Sequence, residues 1–164
     1  MKLIETNLFK ISLTFILIFA TLPNLYSQDY EKDKQEIRKC YYDMSEALIN
    51  KNWEEYQNYW FQDTTINVLH SAQRHWDKGW HAVQKTYKSI FESDFNMDNI
   101  RMPKADIFDV HIATGGEFAW ALIEQRLFSG DVKIRQSWSI VVYRKIDGKW
   151  LINSILQADL PPEN

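Results

Sequence analysis

From residue 117 to residue 157 apolar side chains fill three long runs, broken only at Ser129-Gly130-Asp131 and at Asp147-Gly148. Apolar runs closed by Gly and Asp read as strands joined by tight turns. The pattern therefore predicts a meander of Glu117–Phe128, Val132–Lys145 and Lys149–Gln157. Each run exceeds the usual five or six residues, so the sheet should be long and bent. The Asp147-Gly148 turn allows two registers. A two-residue loop opposes Ile146 with Lys149; a three-residue loop, with Gly148 left-handed in a bulge, opposes Lys145 with Lys149. The second register puts Trp138, Ile140 and Val142 on one face with Trp150, Ile152 and Leu156. A slip of one residue moves a whole face, so the coherent apolar face favours that register. The opposite face then carries Arg135, Ser137, Ser139, Tyr143, Asn153 and Gln157. The pattern leaves open which face lines a cavity.

Upstream the period changes. Ile37, Cys40, Tyr41, Met44 and Leu48 recur at three- and four-residue spacing, which predicts a helix over Asp29–Asn50 with a charged outer face. Asn52 is placed as the N-cap of a short second helix marked by Trp53, Tyr56 and Trp60. Thr64–His70 alternates as a strand with Ile66, Val68 and His70 on one side. Ser71–Lys78 reads as a polar loop. Gly79 precedes a helix, Trp80–Phe91, with an apolar stripe of Trp80, Val83, Tyr87, Ile90 and Phe91. Glu92–Met102 shows no period and reads as a loop. Ala105–Ala113 is a further strand, and Pro161-Pro162 ends the fold. Helices that precede and flank an antiparallel sheet make the class α+β.

Composition narrows the function classes. The 164 residues are 45% hydrophobic, 15% aromatic and 25% charged, enough for one domain with its own core. A net charge of −3 without a basic stripe argues against nucleic acid or an anionic membrane as partner. Residues 1–27 have the order of a secretory signal peptide: Lys2 and Lys10, the apolar run Ile11–Leu22, then Leu25-Tyr26-Ser27. The run is well short of the ~20 residues a spanning helix needs. Residues 28–164 are thus expected to be a single exported domain, periplasmic or secreted, with no membrane contact once the leader is cleaved. The single cysteine, Cys40, excludes an internal disulfide and reads as a buried apolar residue.

Candidate chemistry is sparse. His70 ends its strand beside Ile66 and Val68, either as a satisfied, partly buried histidine or as a proton carrier with a pKa near neutrality. His70, His75 and His81 lie close in sequence, but their spacing matches no metal-ligand pattern, so no metal is assigned. Glu124 alternates with Trp120, Leu122 and Arg126. It reads either as an ion-pair partner of Arg135 on the next strand or as a pocket carboxylate raised in pKa by aromatic surroundings. Trp60, Trp80, Tyr87, Trp120 and Trp138 are the candidate lining of an aromatic cavity suited to a small apolar or aromatic molecule. Trp53, Trp80 and Trp150 also lie on clean apolar faces that suit a core. No phosphate loop or nucleophile elbow is present, and no cofactor is implied.

Four segments, in this order, resemble the nuclear transport factor 2-like superfamily in its SnoaL-like branch. They are Trp53 to Val68, Gly79 to Phe91, Ala119-Trp120-Ala121, and Tyr143 to Ile152 with Asp147-Gly148-Lys149-Trp150. The resemblance implies a cone-shaped α+β fold in which a curved sheet wraps around the N-terminal helices and leaves a pocket at its open end. It also implies frequent homodimers, and functions that range from isomerases and dehydratases to association modules. Some relatives carry histidines near the end of the last strand, where this chain has Ile155, Leu156 and Gln157. Ser139-Ile140-Val141-Val142 likewise holds no counterpart of the isomerase aspartate. The expectation is a small-molecule-binding domain. If it turns its ligand over, His70 and Glu124 would be the candidate pair for cofactor-free isomerase or dehydratase chemistry. The alternative is a non-catalytic dimerisation or interaction module.

Overall fold

The structure is a computed structural model that describes residues 29–70, 75–94, 100–101 and 108–159. The leader-like segment 1–27 and Pro161-Pro162 lie outside the described residues. Residues 36–164 form one compact unit; of residues 1–35, only the opening turns of a helix, 29–35, are described. That helix, α1, spans residues 29–49. Ile37, Cys40, Tyr41, Met44 and Ala47 are buried along it, with Leu48 partly so, as its spacing predicts. Burial pushes the Cys40 thiol up to about 12, so it is a packing residue and no thiolate.

The short helix α2, Trp53–Tyr56, begins where expected. The Asn52 side chain caps the helix by accepting from the Glu55 amide, and its Nδ2 donates to the Glu55 carboxylate. A 3-10 turn, Gln57–Tyr59, continues it. Helix α3 covers Trp80–Phe91. Gly79 leads into it at φ +77°, where its amide donates to Ile66 and its missing side chain leaves room against the Thr64 backbone.

Seven strands among the described residues make one sheet: β1 Asn67–His70, β2 His75–Lys78, β3 Ile100–Arg101, β4 Phe108–Ile112, β5 Phe118–Ser129, β6 Val132–Ile146 and β7 Lys149–Asp159. Their order is β2-β1-β7-β6-β5, with β3 and β4 pairing different stretches of β5's free edge. The β1–β7 pair is parallel and the others antiparallel. Two expected loops are therefore partly strand. His75–Lys78 pairs with β1, and Ile100–Arg101 pairs with Phe128–Ser129. Neither segment has a period of its own, so their extended form comes from the neighbouring strand. The first strand starts later than its alternation suggests, at Asn67, because Asp63 turns the chain by accepting from the Thr65 amide. Of the expected strand at 105–113, residues 105–107 lie outside the described set and Phe108–Ile112 is observed.

The favoured hairpin register is overturned. Asp147 and Gly148 are both left-handed, at φ +49° and +78°, which makes a two-residue turn that opposes Ile146 with Lys149. Beyond it the register shifts once, between Val142 and Tyr143: Tyr143 faces Ile152, but Val142 faces Ser154. Asn153 is the extra residue of a bulge. Trp150, Ile152 and Ile155 therefore share the inner face with Tyr143 and Val141, all buried. Trp138, Ile140 and Leu156 lie on the outer face. The polar set read from β6 is the inner one.

The core fills the space between that inner face and the helices. It joins Ile66, Val68, Val110, Ala121, Ile123, Val141, Tyr143, Trp150 and Ile152 to the buried side of α1, Tyr56, Trp60 and Val83. Tyr143 is fully buried and its hydroxyl has no hydrogen-bond partner among the described residues. Burial holds its phenol well above the usual value. A buried hydroxyl without a partner costs about 1–3 kcal/mol of desolvation. Tyr143→Phe is therefore expected to stabilise the protein by about 1 kcal/mol, seen as a higher urea midpoint at an unchanged slope.

Candidate functional site

The inner face of the sheet changes character along its strands. Facing residues of adjacent strands share a face, so each cross-strand row can be read from the register. One row, Val68, Ile155, Val141, Ala121 and Val110, is buried and apolar. The next runs His75, His70, Gln157, Ser139 and Ile123 across β2, β1, β7, β6 and β5. The one beyond brings Asp159, Ser137 and Gln125 together. Core thus gives way to a polar wall within two rows, towards the Val132 end of β6. A cavity of about 190 Å³ opens there. His70, Gln125, Arg135, Ser139 and Gln157 line its sheet side. Tyr41, Met44, Ser45, Leu48, Tyr56, Tyr87 and Ile90 line its helix side.

His70 is the best-anchored polar group in this wall. Its Nε2 lies 3.1 Å from Asp77 Oδ2, and His75 Nε2 lies 2.7 Å from Asp77 Oδ1. The Asp77 side chain is 3% exposed, His70's 12% and His75's 56%. A carboxylate only accepts, so both rings donate from Nε2, and Nδ1 is the basic nitrogen of His70. Burial lowers the His70 pKa below 6.5. Asp77 works against this, while His75 and Arg135 add to it. Near neutral pH His70 is therefore an uncharged base in a fixed tautomer. Burial also raises the Tyr87 phenol to about 12, so that hydroxyl keeps its proton. Its ring lies 5.7 Å from the His70 ring.

Further along the same wall the Arg135 guanidinium binds Asp159 Oδ1 from Nε at 2.7 Å and from Nη2 at 2.6 Å. Gln157 Nε2 donates to Ser137 Oγ at 3.1 Å. The Ser45 hydroxyl is buried in the helix wall. It has no hydrogen-bond partner among the described residues. Among the described residues no three His, Cys, Asp or Glu side chains are arranged to hold a metal ion.

The residues singled out from sequence separate into three places. His70 and Tyr87 line the cavity. Trp60 and Trp80 belong to an aromatic cluster that joins α2 to α3. Trp80 stacks on Trp53 at 6.3 Å, and Trp60 packs on Tyr87 at 5.3 Å and Tyr56 at 6.0 Å. Glu124, Trp120 and Trp138 lie on the outer face. Trp120 stacks on His111 at 4.1 Å, and Glu124 faces Trp138 across the strands. His70 and Glu124 are therefore on opposite sides of the sheet and form no pair. Glu124 is buried under Arg126 Nε at 3.1 Å and Gln136 Nε2 at 2.6 Å, while Arg135 pairs with Asp159. Gln125 and Arg135 as cavity groups, and Asp77 as the partner of His70, were not assigned from sequence. Alternation along Arg135-Gln-Ser137-Ser-Ser139 did mark the polar wall. Asp77 stands among His70, His75 and His81 in sequence, but its strand has no period that would set it against His70.

The family model for the SnoaL-like domain matches residues 37–156. A comparison with curated proteins finds no match. Among solved structures, an NTF2-like protein of unknown function from Pseudomonas putida KT2440 superposes with a TM-score of 0.64 at 19% identity, over 76% of this chain and 84% of that one. A proposed dehydratase of the NTF2-like family from Streptomyces avermitilis gives 0.63 at 16% identity, over 80% and 99%. The association domain of CaMKII from C. elegans gives 0.65 at 19% identity, over 78% and 96%. At these identities the likeness is one of fold: mixed α+β, with an open curved sheet and N-terminal helices.

The His70 environment carries a pH signature. Below 6.5 the unfolded chain takes up a proton at this position that the folded chain resists. Stability is therefore expected to fall as the pH drops from 6.5 towards the lowered folded value, with no contribution from His70 above 6.5. Urea midpoints on either side of that window should show a larger loss for the wild type than for His70→Gln; equal losses would place His70 in a solvent-like setting.

Proposed function

The chain belongs to the SnoaL-like domain family, and on that basis we propose that its interior cavity binds a small molecule and that His70 moves protons on it. The observation that carries this reading is the His70–Asp77 hydrogen bond at the cavity wall. A neutral imidazole, fixed by a buried carboxylate and with Nδ1 unprotonated, is equipped to act as a general base. The imidazolium formed when it accepts a proton is stabilised by Asp77 and can return the proton to a different atom of the ligand. That is the work of a cofactor-free isomerase, or of a dehydratase when the proton goes to a departing hydroxyl. The likeness to the Streptomyces avermitilis protein is compatible with this class. The ligand is small: about 190 Å³ lies below the roughly 300–1,000 Å³ of sites for drug-sized molecules, yet above the ~150 Å³ that accepts benzene. Its body rests on Tyr41, Met44, Leu48 and Tyr56, with its reacting atoms beside His70.

A thermal-shift screen of the purified protein against small metabolites, with hits followed through the His70 ring resonances, tests this reading. Hits should raise the melting temperature by mass action and move those resonances. Glu124→Gln should leave binding intact, since Glu124 faces away from the cavity. Hits that leave His70 unmoved would defeat the proposal.

A second reading, association through the outer sheet face, rests on a separate observation. Trp76, Leu69, Leu156, Ile140 and Leu122 face one another in a single row across five strands, and the first four are exposed. Trp120 and Phe118 extend this surface. Contiguous exposed apolar area of this kind marks a contact surface. A homodimer through this face leaves the cavity free, so both readings hold together. Sedimentation should give a dimer for the wild type and a monomer of unchanged fold for the doubly substituted Ile140→Asp, Leu156→Asp protein. A wild-type monomer at micromolar concentration would remove the dimer.

A further inference from the structure

The charge of the cavity wall narrows its ligand. Among the described residues that line it, Arg135 is the one permanent cation, and no carboxylate faces the space. Asp77 stands behind His70 with both oxygens engaged by imidazoles. The counterion of Arg135 is Asp159, near the end of β7, whose Oδ1 takes both the Nε and Nη2 bonds. A guanidinium has five donors in a planar fork, so such end-on pairing leaves it able to hold a second carboxylate. Gln125 and Ser139 line the same wall and add polar groups between Arg135 and His70.

From this arrangement we infer that the cavity takes a small organic carboxylate, with its carboxylate on Arg135 and its body directed towards His70. The inference rests on the cavity being a ligand site. A planar monoanion suits this wall better than a phosphate dianion. One guanidinium already shared with Asp159 cannot neutralise two charges, and no glycine-rich backbone cradle lines the space. Spacing adds a second constraint. Arg135 lies two inner-face positions beyond Ser139, the β6 residue in the His70 row, which is about 13 Å of strand at ~3.3 Å per residue. The long arginine side chain covers part of that distance. A ligand one ring or a few carbons long covers the rest. Asp159 then acts as a stand-in for the ligand, keeping Arg135 paired while the cavity is empty and competing with the incoming anion.

That competition gives the test. Benzoate, propionate and the neutral isostere benzamide are titrated into the full chain, with His70 ring resonances and calorimetry as readouts. Benzoate or propionate should bind at least tenfold tighter than benzamide. Arg135→Gln should abolish that preference. Asp159→Asn should tighten carboxylate binding severalfold, which the loss of a purely structural ion pair would not do. Circular dichroism checks that each variant folds, and Asp159→Asn decides the matter alone if Arg135→Gln does not fold. Equal binding of benzamide and benzoate, or carboxylate binding that Asp159→Asn leaves unchanged, overturns the carboxylate inference while sparing the cavity as a ligand site. Failure of all three probes to move His70 at millimolar concentration overturns the inference and the ligand-site reading together.

Discussion

Strands β6 and β7 are held by a two-residue turn at Asp147-Gly148 and then slip by one residue at Asn153. The turn decides that Tyr143 and Ile152 face inward. Without the bulge, Ser154 would follow Ile152 onto the inner face and Ile155 would point to solvent. With it, Ile155 joins Trp150 and Ile152 against the helices, and Gln157 arrives beside Ser139. Because β1 pairs in parallel with this same stretch of β7, the bulge also sets which residue stands next to His70. The turn thus sets the face that β6 turns to the cavity, and the bulge sets which residues of β7 stand beside it.

The sheet then keeps two kinds of business apart. Its inner face runs from a dry core at Trp150 and Tyr143 to a polar wall at His70, Ser139 and Gln157. Its outer face carries a row of large apolar side chains. Strand alternation makes this separation automatic, because a residue on one face is removed from the chemistry of the other. Glu124 shows the consequence. It is a buried carboxylate in aromatic company, and by residue type alone it suits an acid or base. Its actual partners are Arg126 and Gln136 on the outer side, a satisfied structural network. His70 is also buried and hydrogen-bonded, but its carboxylate partner lies behind it and its ring faces the cavity. Burial lowers its proton affinity and Asp77 fixes its tautomer, two conditions that suit a base near neutral pH.

Local rules along the chain are enough for the α+β class, the helix boundaries and the three long strands. Each of these rests on a local rule: three- and four-residue spacing along Ile37 to Leu48, the Asn52 cap, Gly79 ahead of α3, and apolar runs closed by Gly and Asp. The sequence also marked His70 and Tyr87, which line the cavity, and the polar alternation of Arg135, Ser137 and Ser139. That this polar face of β6 is the interior one follows from the two-residue turn, which seats Tyr143 opposite Ile152, and the choice between two- and three-residue turns leaves no period in either strand. The same holds for His75–Lys78. These four residues have no strand pattern and become a strand by bonding to β1, and that pairing sets Asp77 against His70. The tryptophans were read by type, and type could not place them. Whether an aromatic ring packs a core, stacks at a surface or lines a cavity depends on the face it occupies, and for Trp138 and Trp150 that face follows from the two-residue turn at Asp147-Gly148.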